Sequence, residues 1–101
     1  MEQREVEKQK KEFIELEPPK YYKVYLLNDD YTTMDFVVDI LIRVFRKSAD
    51  EAQSLMLEIH NNNQALCGIY TKEIAYTKAS EVEKQAREAG FPLKTLVMKE
   101  K

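Results

Sequence analysis

A chain of 101 residues, 44% apolar and 34% charged, is sized for one domain with a modest core, so one site is expected rather than several. Its net charge of −2 argues against binding a nucleic-acid backbone, and no apolar run approaches the roughly 20 residues of a membrane helix. With one cysteine, Cys67, and one histidine, His60, an internal disulfide is ruled out and too few soft ligands remain for a tetrahedral zinc site, so no cofactor or metal is expected.

The first stretch alternates acids and bases around Val6, Phe13, Ile14 and Leu16, too few apolar residues for a core. Residues 1–19 therefore read as a flexible charged extension ending at Pro18 and Pro19, with a helix inside it left open, and residues 20–101 as the folded domain. The start also lacks the apolar stretch of a signal peptide, which sets the expected location as the cytoplasm.

Next, KYYKVYLLN alternates around Val24 and Leu26 and is rich in tyrosine, a strand reading with Asn28 at its exit. From Met34 the apolar positions fall at Met34, Val37, Val38, Leu41, Ile42 and Phe45, the spacing of a helix with one wide buried face. Thr32 or Thr33 caps it, since either hydroxyl can accept an otherwise unpaired amide of the first turn. Ser48 with Glu51 three residues later is a capping box, and the helix it opens carries an inward stripe of Ala52, Leu55, Met56 and Ile59. The run HNNNQ ends that helix, because asparagine tolerates left-handed backbone and hydrogen-bonds locally.

A compact apolar run, QALCGIY, then reads as a strand. Thr71 is placed to cap a third helix, whose stripe of Ala75, Ala79, Val82, Ala86 and Ala89 is small enough to lie close against a sheet; Gly90 ends it. FPLKTLVMK supplies the last strand. The order βααβαβ places the chain in the α+β class, with three helices covering a small, mainly antiparallel three-stranded sheet.

Asn28, Asp29 and Asp30 crowd one turn, and taken alone they are ordinary turn and capping residues. A calcium loop is excluded by the missing glycine and distal glutamate. If His60, at the end of the second helix, comes over this turn, then an amide oxygen, carboxylates and a neutral imidazole nitrogen converge as acceptors on a cation with several protons, such as an ammonium. A lone histidine there otherwise serves the helix dipole. Met34, Val37, Met56 and Ile59 are core residues in one reading and the walls of a methionine-rich slot in the other. An acceptor cluster beside such a slot suits an α-amine attached to a large hydrophobic side chain. A competing enzyme reading pairs Cys67 with His60 as nucleophile and base, but Cys67 lies inside an apolar strand run, which favours a buried structural thiol.

The segments YKVYLLNDDYTTMDFVVDIL, LMLEIHNNNQALCGIYTKEIAYTK and GFPLKTLVMKE resemble the ClpS family, small bacterial adaptors that deliver N-degron substrates to the ClpA or ClpC unfoldase of the ClpP protease. The similarity runs over residues 18–100 in order, and the combination of NDDYTTM, LMLEIH and CGIYT is far more specific than any one piece. The resemblance implies a monomeric adaptor, not an enzyme, that binds an exposed N-terminal Leu, Phe, Tyr or Trp. It implies that Asn28 and His60 hydrogen-bond the α-amine, with Asp29 and Asp30 adding carboxylate and water-mediated contacts. It also implies that Thr32, Val37, Met56, Ile59 and Leu93 surround the side-chain pocket, and that Met34 is a gate at its lip disfavouring β-branched Ile and Val. Glu73 and Lys78 match a surface that docks on the unfoldase's N-terminal domain, and the charged extension matches one used in substrate hand-over. Many relatives have proline where this chain has Thr33, a change that makes the first helical turn less rigid unless Thr33 substitutes as a cap. The alternative in another class is a protein-docking module without an amino-acid pocket, separated from the adaptor reading by titration with an unblocked Leu-peptide.

Overall fold

Alternating Val24 and Leu26 with residues that point the other way makes a strand, β1 (Tyr21–Leu27), and in the computed structural model, which describes residues 18–101, this strand is central. On either side of it lie β2 (Gln64–Thr71) and β3 (Lys94–Lys99), both antiparallel, giving the sheet order β2-β1-β3. Three helices complete the described residues: α1 (Met34–Arg43), α2 (Ala49–Asn62) and α3 (Lys72–Ala89). The expected βααβαβ order and α+β class are therefore what the chain forms. Of the expected extension, only Pro18 and Pro19 belong to the described residues; the rest of that expectation lies outside them.

Register explains which side chains the helices cover. Leu26 stands opposite Ala65 and Thr95, and Val24 opposite Gly68 and Val97. Between Val24 and Tyr25 the pairing with β2 slips by one residue, so Cys67 is the extra residue of a bulge and its thiol is buried. α3 packs against all three strands, and its small buried residues Ala75, Ala79 and Ala86 let the helix lie close to the sheet. α2 packs on β2 and on α1. The opposite face of the sheet leaves Tyr21, Ile69, Leu96 and Met98 exposed.

Two stripes differ from expectation. α1 buries Val37, Ile40 and Leu41, continued by Val44 and Phe45, while Met34 and Ile42 are 46% and 38% exposed. The reason is where the helix stops: Arg46 takes a left-handed backbone (φ 57°), the Lys47 amide donates to the Leu41 carbonyl, and this turn draws Val44 and Phe45 into the core. The buried face is thus rotated, away from Ile42 and towards Ile40. In α3, Ala89 is exposed because the helix ends there, at Gly90 in left-handed conformation (φ 82°).

Polar clasps fix the layers. Glu83 on α3 accepts from the Thr95 amide at 3.0 Å and its hydroxyl at 2.7 Å, tying the helix to β3. Burial would raise the Glu83 carboxyl, but these bonds from Thr95, with nearby Lys94 and Arg87, outweigh it and hold the carboxyl below its ordinary value. Phe36 of α1 and Phe91 of the last loop meet as a tilted pair with centroids 4.9 Å apart.

Candidate functional site

The turn leaving β1 is built by one carboxylate. Asp29 Oδ1 accepts from the Tyr31 amide at 2.8 Å and the Thr32 amide at 2.7 Å, while Oδ2 accepts from the Thr32 hydroxyl at 2.7 Å. This is an aspartate-based turn extended by a threonine, and it commits Thr32 to Asp29. Capping of α1 then falls to Thr33, whose extended backbone places Oγ1 to accept from the Phe36 amide at 3.2 Å. Burial would raise the Asp29 carboxyl; the bonds from Thr32 and Tyr31 together outweigh it and hold the group below the ordinary aspartate value.

The second half of the site arrives from α2. Its capping box is present, with the Glu51 amide donating to Ser48 Oγ and the Ser48 amide to Glu51 Oε1. At its far end Asn63 adopts a left-handed backbone (φ 71°), and the Asn63 carbonyl accepts from the Asn28 amide at 2.8 Å. Continuing the Leu27–Gln64 pairing of β1 with β2, that bond latches the end of α2 to the exit of β1. It brings His60, on the last turn of α2, beside the turn containing residues 28–30.

The result is a cavity of about 440 Å³. Asn28, Asp29, Asp30 and His60 line it together with Thr32, Met34, Val37, Met56 and Ile59. Both Asp29 oxygens are engaged within the turn, whereas Asp30 and His60 are exposed and take no part in those bonds. Val37, Met56 and Ile59 are buried walls, and the half-exposed Met34 stands at the start of α1. Leu93 does not line the cavity; at 2% exposure it belongs to the core between α3 and β3. Tyr31 and Thr33 do line it; the sequence marked Thr33 only as a cap and gave Tyr31 no role, although both lie inside the NDDYTTM segment that marks the turn.

Chemically, this is a concave, partly apolar space with acceptors gathered at one end, suited to orienting a cation that carries a hydrophobic group. Among the described residues no group of three His, Cys, Asp or Glu side chains is placed to hold a metal ion, and no helix is long and apolar enough to cross a membrane. Cys67 is not at the cavity. Burial pushes its thiol up to about 12, against smaller opposing effects of Leu26 and Lys47. A thiol so held is not a thiolate near neutral pH, so it is not an activated nucleophile.

Glu73 and Lys78, on the first turns of α3, line a separate groove of about 520 Å³ with Arg46, Ile74 and Thr77. Lys78 is partly committed there: Nζ donates to the Val44 carbonyl at 2.6 Å and lies 5.6 Å from the centroid of the Tyr70 ring. It ties α3 to the end of α1 while forming part of the groove wall.

Residues 17–96 match the family described as ATP-dependent Clp protease adaptor protein ClpS. The chain is 51% identical over 87 residues to the ATP-dependent Clp protease adapter protein ClpS of Wolinella succinogenes, spanning 86% of this chain and 85% of that protein. To the protein of the same description from Campylobacter jejuni it is 52% identical over 85 residues, 84% of this chain and 88% of the other. Among solved structures it is similar to Agrobacterium tumefaciens ClpS2 bound to L-phenylalaninamide, with 43% identity and a TM-score of 0.79 over 82% of this chain and 100% of that one.

Proposed function

Because the chain belongs to the ClpS family of Clp protease adaptors, we propose that its cavity takes the unblocked N-terminal residue of a substrate protein, Leu, Phe, Tyr or Trp, for delivery to a ClpA- or ClpC-type unfoldase. The observation that carries this reading is the union, in one cavity, of the acceptors Asn28, Asp30 and His60 with the apolar walls Val37, Met56 and Ile59. The protein acts as a monomer in the cytoplasm. It needs no cofactor for this task, because recognition is non-covalent.

Recognition has two halves. At one end the Asn28 amide oxygen and a neutral His60 nitrogen accept from the ammonium, with Asp30 supplying negative charge and Asp29 holding the turn in shape. At the other, the first side chain enters between α1 and α2 past Met34. Each charge-assisted bond contributes about 1.5 to 3 kcal/mol, and burial of a Leu or Phe side chain about 1.5 to 3 more. After ordering costs a net near −8 kcal/mol, roughly micromolar affinity, is expected. Neither half suffices alone. The agreement in identity and fold with a relative whose solved complex holds an amino-acid amide of the expected kind supports this reading.

Glu73 and Lys78 then face the N-terminal domain of the unfoldase, leaving the cavity free for substrate on another part of the surface. Because Lys78 also binds the Val44 carbonyl, its replacement loosens the join between α1 and α3 as well as altering the groove.

The direct test is fluorescence anisotropy of peptides that differ only in residue one. Leu, Phe, Tyr and Trp peptides should bind with near-micromolar affinity, and Ala at least tenfold more weakly; equal binding of Ala and Leu peptides contradicts the proposal. Met34→Ala should narrow the preference for Leu over Ile by about tenfold, since a branch at the first side-chain carbon meets the gate before it meets the walls. A variant that still refuses Ile-peptides removes Met34 from that role.

A further inference from the structure

The geometry points to a second subsite on the same cavity: the Tyr31 ring, with the Asp30 carboxylate beside it, receives the side chain of the substrate's second residue and favours arginine there. This inference rests on the proposed binding of an N-terminal residue and extends it by one position.

Tyr31 is 77% exposed, well beyond any other large hydrophobic residue of the described chain, and yet it lines the cavity. No aromatic partner or cation occupies its ring among the described residues; the pairs observed involve Tyr22 with Tyr76, Phe36 with Phe91, and Lys78 with Tyr70. Exposure of this kind generally marks a loose side chain, but here the backbone beneath is held. The Tyr31 amide and the Thr32 amide both donate to Asp29 Oδ1, and Thr33 caps α1 immediately afterwards. The ring therefore projects from a fixed turn, so that a ligand meeting it orders little backbone.

Direction follows from the first residue. With its amine at Asn28 and His60 and its side chain between Val37 and Met56, the substrate's chain must leave across the mouth of the cavity. Successive side chains of an extended chain point to opposite sides, so the second side chain turns away from the slot and lies at the level of the rim. Tyr31 and Asp30 are adjacent exposed residues that line the cavity, one offering a π-face and the other a carboxylate whose negative charge serves the ammonium and the rim alike. A planar guanidinium satisfies both at once, stacking on the ring while its N–H groups face the carboxylate. A lysine ammonium meets the charge but not the plane, and a glycine meets neither.

The test uses the full chain and free-amine peptides that begin Leu-Gly, Leu-Lys and Leu-Arg and are otherwise identical. The readout is the ratio of dissociation constants, Leu-Gly over Leu-Arg, in the wild type, Tyr31→Ala and Tyr31→Phe. An exposed cation–π contact with added charge attraction gives a ratio of about three- to tenfold in the wild type, with Leu-Lys intermediate. Tyr31→Phe should keep the ratio, because the ring and not the hydroxyl is used; Tyr31→Ala should bring it near the Leu-Lys value or below. A wild-type ratio near one, or an undiminished ratio in Tyr31→Ala, overturns the subsite while the Leu-Gly titration still reports on the first-residue pocket. Failure of every free-amine peptide to bind overturns the pocket itself, and the subsite with it.

Discussion

An Asp29→Ala variant is expected to fold and yet to lose about 10- to 100-fold of its affinity for a free-amine Leu-peptide. The carboxylate removed accepts three hydrogen bonds, from the Tyr31 amide, the Thr32 amide and the Thr32 hydroxyl, all within one short turn. Without it, the part-buried Thr32 amide loses its acceptor at on the order of 1 to 3 kcal/mol where water cannot replace it, while the exposed Tyr31 amide turns to water. The turn then relaxes, and Asn28 and Met34, which stand at its two ends, no longer hold their spacing. Asp29→Asn keeps one acceptor oxygen and should recover part of the loss. Wild-type affinity in Asp29→Ala, measured alongside an unchanged circular dichroism spectrum, would remove the turn from the mechanism.

The same group sets the acid limit of the turn. The Asp29 carboxyl lies below its ordinary value when folded, so its contribution is complete above the unfolded value and is lost only as pH falls through the lower folded one. Acidification to about pH 5 therefore leaves the turn intact.

Leu26→Ala should produce the largest loss of stability, about 2 to 5 kcal/mol. Leu26 is 0% exposed, sits in the central strand, and is flanked by Ala65 and Thr95 on the neighbouring strands, small or polar residues that cannot fill the space it leaves. For a domain of this size, such a loss lowers the melting temperature by roughly 10 to 30 °C. Leu57→Ala, on the outer side of α2 and 50% exposed, is the control and should change stability by no more than about 0.5 kcal/mol. Similar melting temperatures for the two variants would contradict the placement of the core.

What could be read in advance was local. The Ser48–Glu51 box, the asparagine run that ends α2 and Gly90 after α3 are short-range devices, and each appears in the structure where the residues place it. Thr71 illustrates the limit: it occupies the cap position of α3 but makes no side-chain capping bond. Between Thr32 and Thr33 residue type alone could not decide, because the outcome depends on Asp29 taking the first of them for the turn. The face of α1 was ambiguous for a related reason. A helix with apolar residues around much of its circumference leaves periodicity unable to choose between Ile40 and Ile42, and the choice is made by the turn after Arg43.

Least legible were the bonds between distant segments. The Asn28 amide to Asn63 carbonyl latch involves backbone groups, which carry no residue signature, and yet with the adjoining β1–β2 pairing it holds His60 beside the acid-rich turn. The role of Lys78 in joining α3 to the Val44 carbonyl was equally hidden behind its expected place on a docking surface.

The central claim is that a charged chain end and its hydrophobic first side chain are held together in one cavity. It is tested most directly by titrating the protein with two Leu-peptides of identical sequence, one with a free α-amine and one acetylated. Acetylation removes the charge and sets a carbonyl and a methyl group against Asn28, Asp30 and His60, so the free peptide should bind near micromolar and the acetylated one at least 100-fold more weakly. Equal affinity of the two peptides would contradict it.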